Sequence, residues 1–316
     1  MYKNIVTKLL LLTISVSTIS ACQTTAIPEN VEVKFFKAYE KKYKTASFPV
    51  EVSFPTNSVN KPVPLIITQH GSEQDGRVFA NGEGQTDEFS TRLILMANKR
   101  GFAVAAIDAF YNKNLKSTDK IKFPHAEFYA YEVKKWLEVD NRIDRNAVFF
   151  TGFSYGATTV LQSTAIETGF INRPWQAVAA AEPSCNVFPL PKKIGYPILI
   201  LKGGESHLQP KPCEMFRDFY EKKGSKVSLI LFPHSNHYFS RNGTILDTGI
   251  ALNGCANNPV FIQANGKHTF SDGTKAPLEL IRKRCFTQQS GSGKSREDLD
   301  IVITEIIDFF ENNLKK

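Results

Sequence analysis

Short apolar runs alternate along the chain with stretches whose apolar residues recur at helical spacing. The apolar runs predict six buried β-strands, at 64–68, 102–107, 147–152, 177–181, 196–201 and 227–232. The helical spacing predicts helices at 91–100, at 125–138, from 157 onward and at 299–314, the last with a capping box formed by Ser295 and Asp298. This alternation favours an α/β fold, a doubly wound and mostly parallel sheet with helices on both faces.

Residues 240–294 break the alternation, because they are rich in Asn, Gly, Lys and Thr. We interpret them as an irregular insertion after the last strand, which either helps to wall a site or decorates the surface. Within it, Gly-Ser-Gly-Lys-Ser at 291–295 resembles a phosphate-binding loop. The first glycine of that motif would fall at Gln288, however, and no strand leads into it. This segment is therefore predicted to be a flexible linker.

The N-terminus has the pattern of an export signal. Lys3 and Lys8 precede an apolar run that is too short to span a membrane, and the run ends in Ala21-Cys22. This ending resembles the bacterial lipobox, in which the cysteine is acylated and begins the mature chain. We predict a signal peptide at 1–21, a lipidated tether at 22–45 and one folded domain at 46–316. The expected location is the bacterial cell envelope, anchored in a membrane through Cys22 and, from Gln23, facing the periplasm from the outer membrane.

The cysteine count agrees with export. Of five cysteines, removal of Cys22 leaves an even number, and an oxidising compartment favours two disulfides. Three pairings are open. We favour Cys185–Cys213 and Cys255–Cys285, because the members of each pair lie within one stretch of the chain. A zinc site is disfavoured because the chain has no CxxC pair.

The net charge of +8 suits a soluble surface near an anionic membrane. No run rich in Arg and Lys with interleaved aromatic residues indicates nucleic-acid binding. The composition therefore adds no nucleic-acid partner to the picture.

A nucleophile motif stands between a predicted strand and a predicted helix. Residues 152–156, Gly-Phe-Ser-Tyr-Gly, match G-x-S-x-G, in which glycines two residues either side of the serine let strand and helix approach closely. Ser154 is therefore the candidate nucleophile. The backbone N–H of Tyr155 is the expected first oxyanion donor, and Gly71 or Ser72, after the first predicted strand, is the expected second.

A serine hydroxyl needs a base and an acid that orients this base. His237 follows the last predicted strand, late in the chain as the Ser, acid, His order requires, and is the candidate base; His234 is the alternative. We predict Glu205 as the acid, because it is the first carboxylate after the strand at 196–201. Glu182, at the end of the strand at 177–181, is the alternative.

From Gly71 to Phe239 the chain resembles the dienelactone-hydrolase-like branch of the α/β hydrolases, particularly its exported bacterial members. The matching segments are His70-Gly71, Ile107-Asp108, 152–156, 182–185, Gly204-Glu205, Pro212-Cys213 and 232–239. The resemblance implies an α/β-hydrolase fold, supports His237 over His234 as the base and supports a Cys185–Cys213 disulfide. Two departures matter. Dienelactone hydrolases proper have a cysteine where Ser154 stands, and an Asp usually follows Gly-Glu where this chain has Ser206 and His207.

The expected activity is that of a serine hydrolase that cleaves carboxylic esters of small molecules, with no metal and no organic cofactor. The serine points to a general esterase rather than to dienelactone cleavage. Two alternatives remain open at this stage: a non-catalytic binding protein of the cell envelope on the same scaffold, and a peptidase of the same fold.

Overall fold

The computed structural model of the chain describes residues 30–56, 61–165, 174–241, 247–290 and 293–314. The predicted signal peptide at 1–21 and the predicted lipidation site Cys22 lie outside the described residues. No helix in the described ranges is long and apolar enough to cross a membrane.

Eight strands form the main sheet in the order β1-β2-β4-β3-β5-β6-β8-β9. From β3 to β9 its neighbouring strands are parallel, whereas β2 is antiparallel to both of its neighbours. The strands span Asn30–Glu40 (β1), Lys44–Phe54 (β2), Val63–Gln69 (β3), Ala103–Ile107 (β4), Ile143–Phe153 (β5), Val178–Ala181 (β6), Ile198–Gly203 (β8) and Val227–Phe232 (β9). All six predicted strands are present, and the prediction of a mostly parallel sheet is confirmed.

Helices cover both faces of this sheet because its central strands are apolar on both sides. In β3, Leu65 and Ile67 face one core while Ile66 faces the other. Helices α2, α3 and α4 pack in the first core, and α1 and α6 in the second. The helices span Glu88–Lys99 (α1), Ala126–Leu137 (α2), Tyr155–Gln162 (α3), Lys211–Glu221 (α4) and Leu299–Asn312 (α6).

The expectation of a tether reaching to residue 45 is wrong for residues 30–45. Asn30–Glu40 pairs antiparallel along its whole length with Lys44–Phe54, so the chain joins the sheet from residue 30. Six of its eleven side chains are apolar, but Lys and Glu residues interrupt them, and from Phe35 to Glu40 exposed and buried side chains alternate, as suits an edge strand. Its buried apolar side chains, Phe36 and Ala38, belong to the first core.

The segment at 240–294 is ordered rather than irregular. It contains the strands Asp247–Ala251 (β10), Val260–Ile262 (β11), His268–Phe270 (β12) and Thr287–Ser290 (β13), and the helix Leu278–Cys285 (α5). Strand β11 pairs with Val187–Pro189 (β7), which follows β6, so backbone hydrogen bonds attach the insertion to the main domain. The pattern of apolar runs did not reveal these elements because their strands are only three to five residues long.

Both predicted disulfides are confirmed. Cys185–Cys213 joins the segment after β6 to α4, and Cys255–Cys285 joins a short 3₁₀ turn to the end of α5 inside the insertion. The second bond lies in a small apolar cluster of its own with Val260, Phe270 and Ile281.

The predicted capping box at the start of α6 is wrong. Asp298 precedes the helix, but its carboxylate accepts hydrogen bonds from Ser235 and Arg241 instead of capping the helix N–H groups. The helix is held by its apolar face, since side chains such as Ile303, Ile307 and Phe310 are fully buried. Each such burial contributes roughly 1.5–3 kcal/mol. Asp298 thereby ties α6 to the segment after β9 that carries His237.

Candidate active site

Ser154 occupies a sharp turn between β5 and α3, at the carboxyl end of the parallel strands. Its backbone is strained, with φ 53° and ψ −109°, a conformation that non-glycine residues rarely adopt. The turn is held by the Ser154 N–H, which donates to the Ala181 carbonyl of the neighbouring strand at 2.9 Å. The strain fixes the hydroxyl above the end of the sheet, next to the first turn of α3.

The two glycines of the motif are needed because backbone segments cross here at close range. A Cβ on Gly152 would lie 2.7 Å from the Gln69 carbonyl oxygen. A Cβ on Gly156 would overlap the same carbonyl group even more closely. The obstacle is main chain rather than a flexible side chain, so it has no easy way to move.

We therefore expect Gly156→Ala to destabilise the fold by about 3 kcal/mol or more, because helix α3 would be forced away from β3. Gly195→Ala is the matched control, since a Cβ at Gly195 has no atom within 4 Å. Thermal unfolding should show a Tm lower by roughly 6–12 °C for Gly156→Ala and nearly unchanged for Gly195→Ala. Equal Tm values for the two variants would show that the close approach does not constrain the fold.

His237 lies in the loop after β9 and reaches the serine. Its Nε2 is 2.9 Å from Ser154 Oγ, and its ring is almost completely buried against Phe153. Burial lowers the pKa of His237, and the nearby carboxylate of Glu182 opposes this only in part. The ring is therefore neutral at neutral pH and able to accept the proton of the serine.

Glu182, not Glu205, is the carboxylate that faces the histidine. Glu182 Oε2 is 2.9 Å from His237 Nδ1, and the residue is fully buried. Glu182 also has a positive φ of 59°, an uncommon conformation for a non-glycine residue, directly after the end of β6. The prediction of Glu205 is wrong: its carboxylate is exposed and lies 3.8 Å from the exposed side chain of His234.

Four donors surround the Glu182 carboxylate. His237 Nδ1, Lys202 Nζ at 2.6 Å and Ser206 Oγ at 2.9 Å all contact Oε2, while the Gly203 N–H donates to Oε1. Burial alone would raise the pKa of Glu182, but the charge of Lys202 and the hydrogen bond from His237 outweigh burial and lower it. Glu182 is therefore a carboxylate at neutral pH despite being enclosed.

Of the expected oxyanion donors, Tyr155 and Ser72 are compatible with the predicted role, whereas Gly71 is not. Tyr155 is the first residue of α3, so its N–H has no acceptor within the helix and points toward the turn that holds Ser154. Ser72 lines the same cleft as Ser154 and His237. Gly71 does not fit the predicted role, because its N–H already donates to the Asp87 carboxylate at 2.5 Å.

The cleft over Ser154 is small, with an empty volume of about 250 Å³. Glu73 and Asp75, from the loop after β3, line it together with Tyr238. Lys294 and Arg296, from the segment before α6, form ion pairs with Glu73 and Asp75 at its mouth. Among the described residues, no group of three or more His, Cys, Asp or Glu side chains could hold a metal ion.

The insertion supports the site from outside the cleft. The side-chain amide of Asn253 donates to the His207 carbonyl at 2.7 Å and accepts from the Gln209 N–H at 3.1 Å. The His207 ring in turn packs edge-on against His237, with ring centroids 4.6 Å apart. Burial lowers the pKa of His207 to about 2, so its ring stays neutral. Among the described residues, those that line the cleft lie outside 247–290, so the insertion contacts the loop that carries His207 and is not seen to wall the cleft itself.

Sequence reasoning missed Lys202, Asp87 and the support from Asn253. One signal was present: Lys202 ends an apolar run that forms a buried strand, where a charged side chain requires a partner. Asp87 carried a weaker signal, as a residue type favoured immediately before a helix.

Ser154, His237 and Glu182 thus form one chain of hydrogen bonds. A hydroxyl bonded to a buried neutral imidazole can lose its proton while it attacks an electrophilic carbon. The carboxylate behind the imidazole holds the ring in the required tautomer and stabilises the imidazolium that forms.

Comparison with known proteins shows similarity in structure. No protein-family model matches the sequence, and no curated protein is significantly similar to it. A chain provisionally assigned as a dipeptidyl aminopeptidase IV from Bacteroides ovatus aligns with TM-score 0.50 and 13% identity, over 67% of this chain and 33% of that one. A chain provisionally assigned as a dienelactone hydrolase from Klebsiella pneumoniae aligns with TM-score 0.47 and 15% identity, over 65% and 88%. A thermophilic esterase from Thermogutta terrifontis aligns with TM-score 0.49 and 13% identity, over 66% and 85%.

At 13–15% sequence identity, these similarities are evidence about the fold alone. The sheet order, the parallel central strands and the turn at Ser154 are those of the α/β-hydrolase fold, and the similarity to the Bacteroides chain agrees with it. The chain has the α/β-hydrolase fold.

Proposed function

We propose that the chain is a serine hydrolase that cleaves carboxylic esters of small molecules through an acyl-enzyme. The observation that carries the proposal is the continuous hydrogen-bond chain from Ser154 Oγ through His237 to the buried Glu182. Such a chain has a direct chemical use in acyl transfer. The strained turn at Ser154 supports it, because strain of this kind persists only where the surrounding structure enforces it.

In the proposed reaction, Ser154 Oγ attacks the ester carbonyl carbon while His237 Nε2 takes the hydroxyl proton. The negative charge that forms on the carbonyl oxygen is held by the N–H groups of Tyr155 and Ser72. The C–O bond to the alcohol then breaks as His237 returns its proton to the leaving oxygen. Water, activated by the same His237, attacks the acyl-enzyme, releases the acid and restores Ser154.

The small cleft supports short acyl groups as substrates. Its empty volume of about 250 Å³, part of which is open to solvent, is below the roughly 300–1,000 Å³ of pockets that enclose drug-sized ligands. The binding-protein alternative rested on the lack of an acid in the expected place, and Glu182 now fills that role in the geometry. Nothing in the described cleft favours a peptide over an ester.

The predicted anchor at Cys22 is part of the same proposal. Two disulfides in the folded domain suit an exported protein, because such bonds persist in oxidising compartments. We propose a lipid-anchored protein of the bacterial cell envelope, in the outer membrane and facing the periplasm.

The proposal is tested by labelling the purified protein with a fluorophosphonate probe, which reacts with activated serines whatever their natural substrate. Labelling at Ser154, located by mass spectrometry of the labelled peptide, is the expected result. It should be followed by hydrolysis of p-nitrophenyl acetate and butyrate in preference to the decanoate. A well-folded protein that takes up no probe would contradict the proposal and favour a binding protein.

A further inference from the structure

Lys202 is a fully buried lysine that the proposed reaction does not use directly. It is the last residue but one of strand β8, has no exposed surface, and directs its Nζ to Glu182 Oε2 at 2.6 Å and to Ser206 Oγ at 3.3 Å. Burial of an ammonium group is costly unless it is paired and hydrogen-bonded. A lysine in this place therefore needs an explanation beyond packing.

Its position gives the carboxylate of Glu182 one orientation. Lys202 and Ser206 bind the same oxygen that receives the hydrogen bond from His237, and the Gly203 N–H binds the other oxygen. A rotation of the carboxylate about its own axis would break all of these contacts at once. The acceptor of the His237 hydrogen bond is thus fixed by groups on β8 and the loop that follows it.

The same cluster accounts for the serine at position 206. The relatives that the sequence resembles usually carry an Asp close to this point, and here the Ser206 hydroxyl donates to Glu182 at 2.9 Å. A carboxylate at position 206 would lie against Glu182 with like charge, which is unfavourable in a buried site. Ser206 and Lys202 are instead both donors, which suits a single carboxylate that comes from β6.

We propose that Lys202 is a positioning residue for the triad: it orients the Glu182 carboxylate that holds His237 toward Ser154, and its charge extends the activity into mildly acidic solution. This inference rests on the proposed function of the site. It extends that function by assigning a role to a residue that does not touch the substrate.

The charges around the pair determine the direction of the pH effect. Glu182 faces His237 from the end of β6, Lys202 from β8 and His207 from the loop after β8. The charge of Lys120 also acts on His237, and the carboxyl groups of Glu73, Asp75 and Asp87 line the same cleft. The positive charges of Lys202 and Lys120 lower the pKa of His237 further after burial has lowered it. His207 is neutral and contributes no charge.

These contributions determine the direction in which the acidic limb of the activity profile moves. The active form needs neutral His237 and ionised Glu182, so activity is lost as the pH falls through the pKa values of these groups in the folded protein. Removal of the Lys202 charge raises the pKa of His237, and it also raises that of Glu182, which is otherwise lowered by Lys202. Both changes move the acidic limb of the activity profile to higher pH.

The experiment compares Lys202→Met, Lys202→Gln and Ser206→Ala with the wild type, using the rate of fluorophosphonate labelling from pH 4 to 9. Lys134→Met is the matched control. Lys134 is also a buried lysine paired with a glutamate, Glu138, but it packs against Trp175 and does not line the cleft. Thermal unfolding of each variant reports whether it is folded.

We expect the acidic limb to move up by roughly one pH unit in Lys202→Met and Lys202→Gln, which makes labelling about tenfold slower at pH values well below the limb of the wild type. Lys202→Gln should label faster than Lys202→Met on the alkaline plateau, because glutamine retains a donor to Glu182. Ser206→Ala should lower the plateau without moving the limb, and Lys134→Met should change neither.

The outcomes separate this inference from the proposed function. A wild-type protein that does not label at all contradicts the hydrolase itself. A wild type that labels normally, beside folded Lys202 variants with an unchanged acidic limb, overturns the role of Lys202 and leaves the hydrolase intact. If Lys202→Met does not fold, the limb of Lys202→Gln decides the question alone.

Discussion

Replacement of Ser154 by alanine is expected to reduce kcat/KM for p-nitrophenyl acetate by about 10⁶-fold, the scale on which removal of the nucleophile in a serine triad acts. The expectation follows because Ser154 Oγ lies 2.9 Å from His237 Nε2, the proposed base. Alanine has no hydroxyl and leaves His237 with only water to activate. The residual rate would come from the oxyanion donors and substrate binding.

The fold of the Ser154→Ala variant should survive, because His237 is the one side chain among the described residues that bonds to the hydroxyl, and the turn is held by backbone groups. Ser228→Ala, at an exposed position of β9, is the matched control and should retain full activity. Retention of more than one per cent of the wild-type rate by Ser154→Ala, with a folded protein, would show that the serine is not the nucleophile.

The parallel part of the fold could be predicted from sequence because most of its strands are buried on both faces. Such strands appear as continuous apolar runs, and the partly exposed edge strand β9 is also rich in apolar residues, so all six were predicted. The hairpin of β1 and β2 could not be found in this way. Its outer strand has alternating exposure, and the charged residues on its exposed face, such as Lys37, resemble those of a linker.

The insertion was misjudged for a related reason. Its strands β10 to β13 are short, and its three-stranded part forms only by pairing with β7, a segment more than 70 residues earlier in the chain. The disulfide Cys255–Cys285 was the one local feature that indicated order there. Its pairing was predicted because the two cysteines are close in sequence.

Ser154 and His237 could be predicted because each belongs to a local motif next to a strand end. The acid could not, because two neighbouring strands, β6 and β8, each end near a glutamate. Sequence order alone does not show which side chain turns inward. In the structure, Glu182 has a positive φ and lies beside the buried Lys202, which distinguishes it from Glu205. Of these two features, only the lysine can be recognised in the sequence.

Glu182→Gln should reduce kcat/KM by about 10³- to 10⁴-fold, whereas Glu205→Gln should leave it within a factor of two. Glutamine preserves the shape of the side chain but cannot stabilise the imidazolium of His237, and its amide can hold the ring in the wrong tautomer. Glu205 is exposed and lies beside His234, away from the reacting atoms. Each variant replaces one glutamate carboxylate with an amide, either after β6 or after β8, so each serves as the control for the other.

Stability must be separated from catalysis in this comparison, since Glu182→Gln leaves the Lys202 ammonium buried without its counter-ion. Removal of one member of such a pair costs roughly 3–5 kcal/mol. The double variant Glu182→Gln, Lys202→Met removes both charges, and its Tm should return toward that of the wild type. Its activity should nevertheless stay as low as that of Glu182→Gln, because the imidazolium still lacks a carboxylate. Recovery of activity together with Tm would mean that Glu182 supports only the fold, and a loss in Glu205→Gln equal to that in Glu182→Gln would return the role of the acid to Glu205.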